Sequence, residues 1–140
     1  MAYIDKSKSN EWETPQEFFD ELNKEFKFTL DPCATPKNAK CKKFYTKEQN
    51  GLKQSWHGER VFCNPPYTSK EQDAWVQKCL DESKRVDTSV VMLLPARTDT
   101  KRFHDLILPN AEVRFVKGRL KFGGVSTSAP FPSMVVVFGA

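Results

Sequence analysis

The stretch VFCNPPYTSK, residues 61–70, sets an asparagine, two prolines and a tyrosine directly behind an apolar run of strand length. Consecutive prolines remove two backbone N–H donors, so Pro65 and Pro66 can neither extend a hydrogen-bonded ladder nor sit inside a helix. They fix an extended turn in which the Pro65 carbonyl has no neighbouring donor competing for it. Beside the side-chain oxygen of Asn64, that carbonyl makes a pair of acceptors matched to an exocyclic amino group, such as adenine N6, which offers two hydrogens. Accepting both draws the nitrogen lone pair out of conjugation with the ring and leaves it able to attack an electrophile in line. Tyr67 supplies a ring on which a base pulled out of its duplex stack can lie, a contact worth roughly 1–3 kcal/mol per base. A plain strand stop explains the prolines but assigns nothing to the Asn or the Tyr.

These residues need a rigid frame, and the pattern along the chain supplies one. In WETPQEFFDELNKEF, Thr14 at the N-cap, Pro15 at the first helical position and Glu17 two residues on form a capping box, with Phe18, Phe19, Leu22 and Phe26 at helical spacing. A helix is expected at about 15–25. FKFTLDP alternates as a strand stopped by Asp31-Pro32. Residues 34–59 are lysine-rich and hold either two short strands or a strand and a turn. RVFC is a strand that leads into the proline turn. Trp75, Val76, Cys79 and Leu80 then form one face of a helix at about 70–85. SVVMLLP has the unbroken apolar character of a strand buried on both faces. TDTKRFHDLIL reads as a helix capped by Thr98 or Asp99, AEVRFVKG and PSMVVVFG read as strands, and residues 118–132 form a long loop rich in Gly, Ser and Pro. Continuously apolar strands alternating with helices imply an α/β sandwich with a largely parallel sheet. Ligands of such sheets bind at the carboxyl ends of the strands, where Asp31-Pro32 and Asn64-Pro65 both fall.

Composition bounds the rest. The 140 residues suit one domain, with a polar tail at 1–10 expected to be flexible and a single unit over 11–140. Eleven Phe and three Trp furnish a packed interior and exclude a disordered chain. No apolar run approaches the roughly 20 residues that cross a bilayer, and MAYIDKSKSN has no apolar segment of signal-peptide length, so a cytoplasmic location is expected. Cys33, Cys41, Cys63 and Cys79 contain no C-x-x-C pair and are expected as reduced core thiols rather than metal ligands. The formal charge of +4 permits binding to phosphate backbones without demanding it.

WETP near the N-terminus, LDPCA at the end of the first strand, NGL ahead of the NPPY strand, LLPARTDT with a Phe-His pair, KGRLKF and the closing PFPSMVVVF occur in this order. Together they resemble the phage-type DNA N6-adenine methyltransferases (the phage Dam group) over roughly residues 10–138. The resemblance implies an abbreviated Rossmann-like class I methyltransferase sandwich with a mostly parallel sheet and no separate target-recognition domain. It implies transfer of the methyl group of S-adenosylmethionine to adenine N6 in DNA, with the base flipped out of the duplex. Asn64, Pro65, Pro66 and Tyr67 would then be catalytic. Asp31 would contact the amino-acid end of the cofactor above a loop of Pro32, Cys33 and Ala34, although the glycines usual in such loops are absent. WETP would close over the methionine moiety, with Thr14 and Pro15 at a helix start that favours a carboxylate. Trp12 would either flank the cofactor or staple the helix. Asn50 stands where many relatives place an acidic residue facing the cofactor's adenine. Arg97, Lys117, Arg119 and Lys121 would meet DNA phosphates, with the 118–132 loop as the DNA-touching element and loose sequence specificity as the consequence. A phage-encoded chain would work in the host cytoplasm.

Other readings of the same residues stay open at this level. RNA adenine, cytosine N4 and a glutamine amide also present an NH₂ group to an NPPY turn. A catalytically silent nucleic-acid-binding module would keep the fold for packing alone. His57 and His104 are not needed as bases, because the attacking lone pair belongs to the amine and its proton leaves afterwards.

Overall fold

The computed structural model describes residues 12–123 and 128–139. The expected tail at residues 1–10 and part of the 118–132 loop therefore lie outside the described residues. Helix α1 spans Gln16–Phe26 and helix α2 spans Ser69–Ser83. The strands are β1 Leu30–Asp31, β2 Lys43–Phe44, β3 Arg60–Cys63, β4 Ser89–Pro95, β5 Glu112–Phe115 and β6 Ser133–Phe138. They form one sheet in the order β2-β1-β3-β4-β6-β5.

The chain is α/β, but its sheet is mixed rather than largely parallel. β2, β1, β3 and β4 pair in parallel, whereas β6 runs antiparallel to both β4 and β5. Between β5 and β6 the described residues contain no crossover helix, and antiparallel pairing is what such a return permits. Every residue of β6 is buried, as are six of the seven in β4, in agreement with their unbroken apolar sequences.

Alternation along the strands feeds two layers. Val91, Val135 and Val137 meet Phe18, Leu22 and Phe26 of α1. Met92, Met134, Val136 and Phe138 join the larger core with Trp75, Val76, Cys79 and Leu80 of α2. The expected apolar faces of both helices are therefore the ones that pack.

Two local expectations need correction, and between 34 and 59 the strand-and-turn alternative is the one found. The strand read from Phe26 is shorter, because α1 runs through Phe26 and ends at Lys27, whose φ of 52° turns the chain into the left-handed region. The alternating Phe26 and Phe28 instead stack on each other at 5.7 Å, and only Leu30–Asp31 enters the ladder. Between 34 and 59 lie β2 and a single 3₁₀ turn, Gly51–Lys53. The segment after β4 is a short wide-turn helix, Phe103–Ile107, in which the Leu108 N–H reaches the Phe103 carbonyl at 2.7 Å. It starts at Thr100, whose hydroxyl accepts from the Phe103 N–H at 3.2 Å, and not at Thr98 or Asp99. Buried Arg102 ties this segment to the start of α2, donating to Asp73 Oδ1 at 2.6 Å and Ser69 Oγ at 2.6 Å.

Candidate active site

Parallel pairing of β1, β3 and β4 brings their carboxyl ends to one edge. Asp31-Pro32, Asn64-Pro65 and Pro95-Ala96-Arg97 therefore leave the sheet side by side. Asn64 is half-buried and its amide is held at both ends. Its Nδ2 donates to the Trp12 carbonyl and, at 2.9 Å, to Thr14 Oγ1. The Tyr67 hydroxyl donates to Asn64 Oδ1 at 2.6 Å, with the Leu93 carbonyl at 3.0 Å as a second acceptor. A phenol has one proton, so these two acceptors are alternatives. Burial pushes the Tyr67 hydroxyl well above its ordinary pKa and keeps it a neutral donor.

The capping box read from the sequence is not formed. Pro15 occupies the N-cap of α1 with no side-chain cap, and the Thr14 hydroxyl has turned away to Asn64. The physical reason is competition: water can satisfy a helix start at the surface, while the amide of Asn64 lies deeper and needs a protein acceptor. The first N–H groups of α1 are thus left without a side-chain cap. The Trp12 ring meets Phe122 at 5.5 Å and Phe131 at 5.3 Å, both edge-on, so it joins the far loop to the Asn64 turn.

Next to this turn is a cavity of about 280 Å³. Trp12, Tyr67, Phe131, Pro95 and Pro130 give it apolar walls, and Gln72 and Arg97 bring polar groups to it. Tyr67 is only 8% exposed, with its ring at 5.7 Å from that of Phe131. The Arg97 guanidinium, otherwise exposed, lies 5.8 Å from the Phe131 ring centroid. Gln72 is 5% exposed and donates through Nε2 to the Tyr67 carbonyl at 2.8 Å.

The residues expected around a cofactor form a second group. Asp31 is buried and its carboxylate turns into its own loop, accepting from the Lys40 N–H at 3.0 Å and the Cys33 N–H at 3.4 Å. Burial raises its pKa from 3.8 to about 6, against the lowering effect of those two amides. Ala34 is buried, with its N–H on the Tyr45 carbonyl at 3.0 Å. The NGL tripeptide packs on this loop: a Cβ at Gly51 would stand 2.1 Å from the Pro32 carbonyl oxygen. Asn50 adopts a left-handed conformation, φ 55°, and its side-chain oxygen caps the 3₁₀ turn by accepting from Leu52 N–H at 3.2 Å. That oxygen, the acceptor expected for a ligand, is thus occupied locally.

Lys117, Arg119 and Lys121 are exposed on the segment after β5 and form no ion pair with the described residues. His57 is exposed, and His104 is exposed with its ring against Phe103 at 5.5 Å. Among the described residues no group of three His, Cys, Asp or Glu could hold a metal ion, and no helix is long and apolar enough to cross a membrane. The cysteines form no disulfide. Sequence reading missed Phe131 and Gln72. For Phe131 a signal was available, an aromatic residue between two prolines ahead of a buried strand. For Gln72 there was none, because its position in α2 is polar and matches a solvent-facing residue.

Similarity to other proteins bears on this arrangement. The model of a family described as DNA N-6-adenine-methyltransferase (Dam) matches residues 2–135. The chain is 34% identical over 142 residues to a DNA N-6-adenine-methyltransferase of Haemophilus phage HP1, covering 95% of this chain and 80% of that protein. It is 33% identical over 111 residues to a DNA N-6-adenine-methyltransferase of Escherichia phage T1, covering 78% of this chain and 45% of that longer protein.

Proposed function

The chain belongs to the DNA N-6-adenine-methyltransferase (Dam) family, and from that premise we propose that it methylates adenine N6 in DNA with S-adenosylmethionine, holding a flipped base at Asn64 and Pro65. The observation that carries this reading is the fixed amide of Asn64. With Nδ2 committed to Trp12 and Thr14, only Oδ1 is left to face a substrate amino group. Oδ1 has two lone pairs, and the Tyr67 proton can pass to the Leu93 carbonyl. One acceptor is therefore free, or can be freed, beside the Pro65 carbonyl.

The residues at the edge fit the cofactor. The uncapped start of α1 offers N–H groups to a carboxylate, in keeping with a role for Trp12, Thr14 and Pro15 at the methionine end. The close approach of Gly51 to Pro32 closes a narrow wall between the Asp31-Pro32-Cys33-Ala34 loop and Asn50, where only a residue without a side chain fits. When bound, S-adenosylmethionine supplies a methyl carbon on a cationic sulfur, which takes back the S–C bond electrons as the N6–C bond forms. Asn64 Oδ1 and the Pro65 carbonyl accept the two N6 hydrogens and turn the lone pair toward that carbon. Pro66 keeps the turn rigid. The surplus proton on N6 leaves after transfer, so no histidine is required. Tyr67 and Phe131 form walls of the cavity that would receive the base, and Arg97, Lys117, Arg119 and Lys121 are the cations suited to the flanking phosphates.

The test uses Asn64→Ala. Its circular dichroism and its S-adenosylmethionine titration should match those of the unaltered protein, while tritium transfer to DNA adenine falls by at least about a hundredfold. Undiminished labelling of DNA by the variant overturns the mechanism, and label found in RNA, cytosine or protein overturns the substrate.

A further inference from the structure

We infer that Gln72 is the residue that reads the ring of the acceptor base, donating a hydrogen bond to the ring nitrogen next to the carbon that bears the amino group, N1 of adenine. The inference deepens the methyl-transfer reading and rests on it. Gln72 sits in the first turn of α2, 5% exposed, yet it borders the cavity beside Tyr67. A glutamine amide carries two N–H donors and one carbonyl acceptor. Nε2 uses one donor on the Tyr67 carbonyl at 2.8 Å, and no other partner of this amide is found among the described residues. One N–H and Oε1 are thus left without a protein partner at the wall of the cavity that Arg97 also lines. The N–H is a donor that a ligand in the cavity can take up.

The chemistry of the base supplies what fits. Once Asn64 Oδ1 and the Pro65 carbonyl hold both N6 hydrogens, the neighbouring N1 lone pair of adenine has lost its water. It needs a donor at that edge. Guanine and thymine present an N–H at the equivalent ring position and would set donor against donor, so the same contact rejects them. The bond from Nε2 to the Tyr67 carbonyl couples this reading to the turn itself: Gln72 is oriented by the last residue of the motif that holds the amino group. Arg97, the other polar neighbour of the cavity, is exposed and stacks on Phe131, which leaves it less able to define one atom of the base.

The experiment compares DNA duplexes that carry adenine, 1-deazaadenine or 3-deazaadenine at the methylated position, scored by kcat/KM for tritium transfer. The unaltered protein should methylate 1-deazaadenine at least roughly tenfold less efficiently than 3-deazaadenine, because only the former leaves the Gln72 N–H unpaired. Gln72→Met, of similar length and without polar hydrogens, should be slower on adenine and lose that discrimination. Equal handling of the two analogues by the unaltered protein overturns the assignment, as does discrimination retained in Gln72→Met. Should the variant fold too poorly to assay, the contrast between analogues in the unaltered protein decides alone. Absence of any label on ordinary adenine would be a failure of the methyl-transfer reading, and is distinguishable from both.

Discussion

Asn64 is useful to a substrate only if its amide cannot rotate, and three groups prevent it from doing so. The Trp12 carbonyl and Thr14 hydroxyl fix the nitrogen, and Tyr67 fixes the oxygen from a hydroxyl with an alternative acceptor on Leu93. Tyr67→Phe keeps the ring in the cavity and removes only this restraint. A neutral hydrogen bond contributes about 1 kcal/mol, so kcat should fall about fivefold while the affinity for S-adenosylmethionine stays the same; an unchanged kcat would leave the hydroxyl without a part in positioning. Asp31 lends itself to a pH experiment. Its folded pKa of about 6 lies above the ordinary 3.8, so between those values the native protein holds a proton that the unfolded chain has lost. Stability must therefore fall as the pH rises through this window. Glu59 and Glu82, held below the ordinary 4.5 by their cationic and hydrogen-bonding neighbours, act in the opposite sense, losing their contribution as the pH drops past 4.5. Asp31 is thus the dominant group between 4.5 and about 6. Moving from pH 7 to pH 5 should add about 1 kcal/mol, a few degrees in melting temperature. Scanning calorimetry of Asp31→Asn should show that gain abolished; if the gain persists, another group carries it.

At the scale of elements, the site depends on loops that touch across the edge of the sheet. Gly51 is the tightest of these contacts, since a methyl group there meets the backbone oxygen of Pro32, which has no rotamer by which to yield. Gly51→Ala should cost about 1–3 kcal/mol from overpacking and weaken S-adenosylmethionine binding, seen together in a thermal melt and a cofactor titration; normal values of both would mean that the two loops move apart at little cost. The sequence was a good guide to the elements that frame these loops. Unbroken apolar runs marked β3, β4 and β6, and helical spacing marked α1 and α2, because burial on a periodic element imposes its period on the residues. It was a poor guide where one residue has two suitors. Thr14-Pro15-x-Glu17 satisfies the rule for a capping box, but the Thr hydroxyl goes to Asn64, fifty residues along the chain. The alternating Phe26 and Phe28 suit a strand equally well as a helix end followed by a left-handed turn. Antiparallel β6 could not be told from a parallel strand, since burial on both faces writes the same apolar run in either direction.

For the whole molecule, the relevant fact is where the mild positive charge sits. β5 runs in the same direction as β4, because both are antiparallel to β6, so its carboxyl end opens on the edge that holds Asn64. The segment after β5 carries Lys117, Arg119 and Lys121, the segment after β4 carries Arg97 and Lys101, and the loop after β1 carries Lys37 and Lys40. Opposed to these on the same segments are Asp99 and Asp105. Under the proposed function a DNA duplex at this edge would meet cations on several loops at once, and each phosphate neutralised would release counterions. Fluorescence anisotropy of a labelled duplex against salt should give a steep negative slope of log K on log salt. Replacing Lys117, Arg119 and Lys121 together by alanine should reduce that slope by roughly 2 to 3 and raise the KM for DNA, while Lys84→Ala, at the start of the turn that leads into β4 from the opposite edge, leaves the slope unchanged. A slope insensitive to the triple substitution, or equally sensitive to Lys84, would mean that the duplex is held elsewhere, and the base would then have to reach Asn64 from another side.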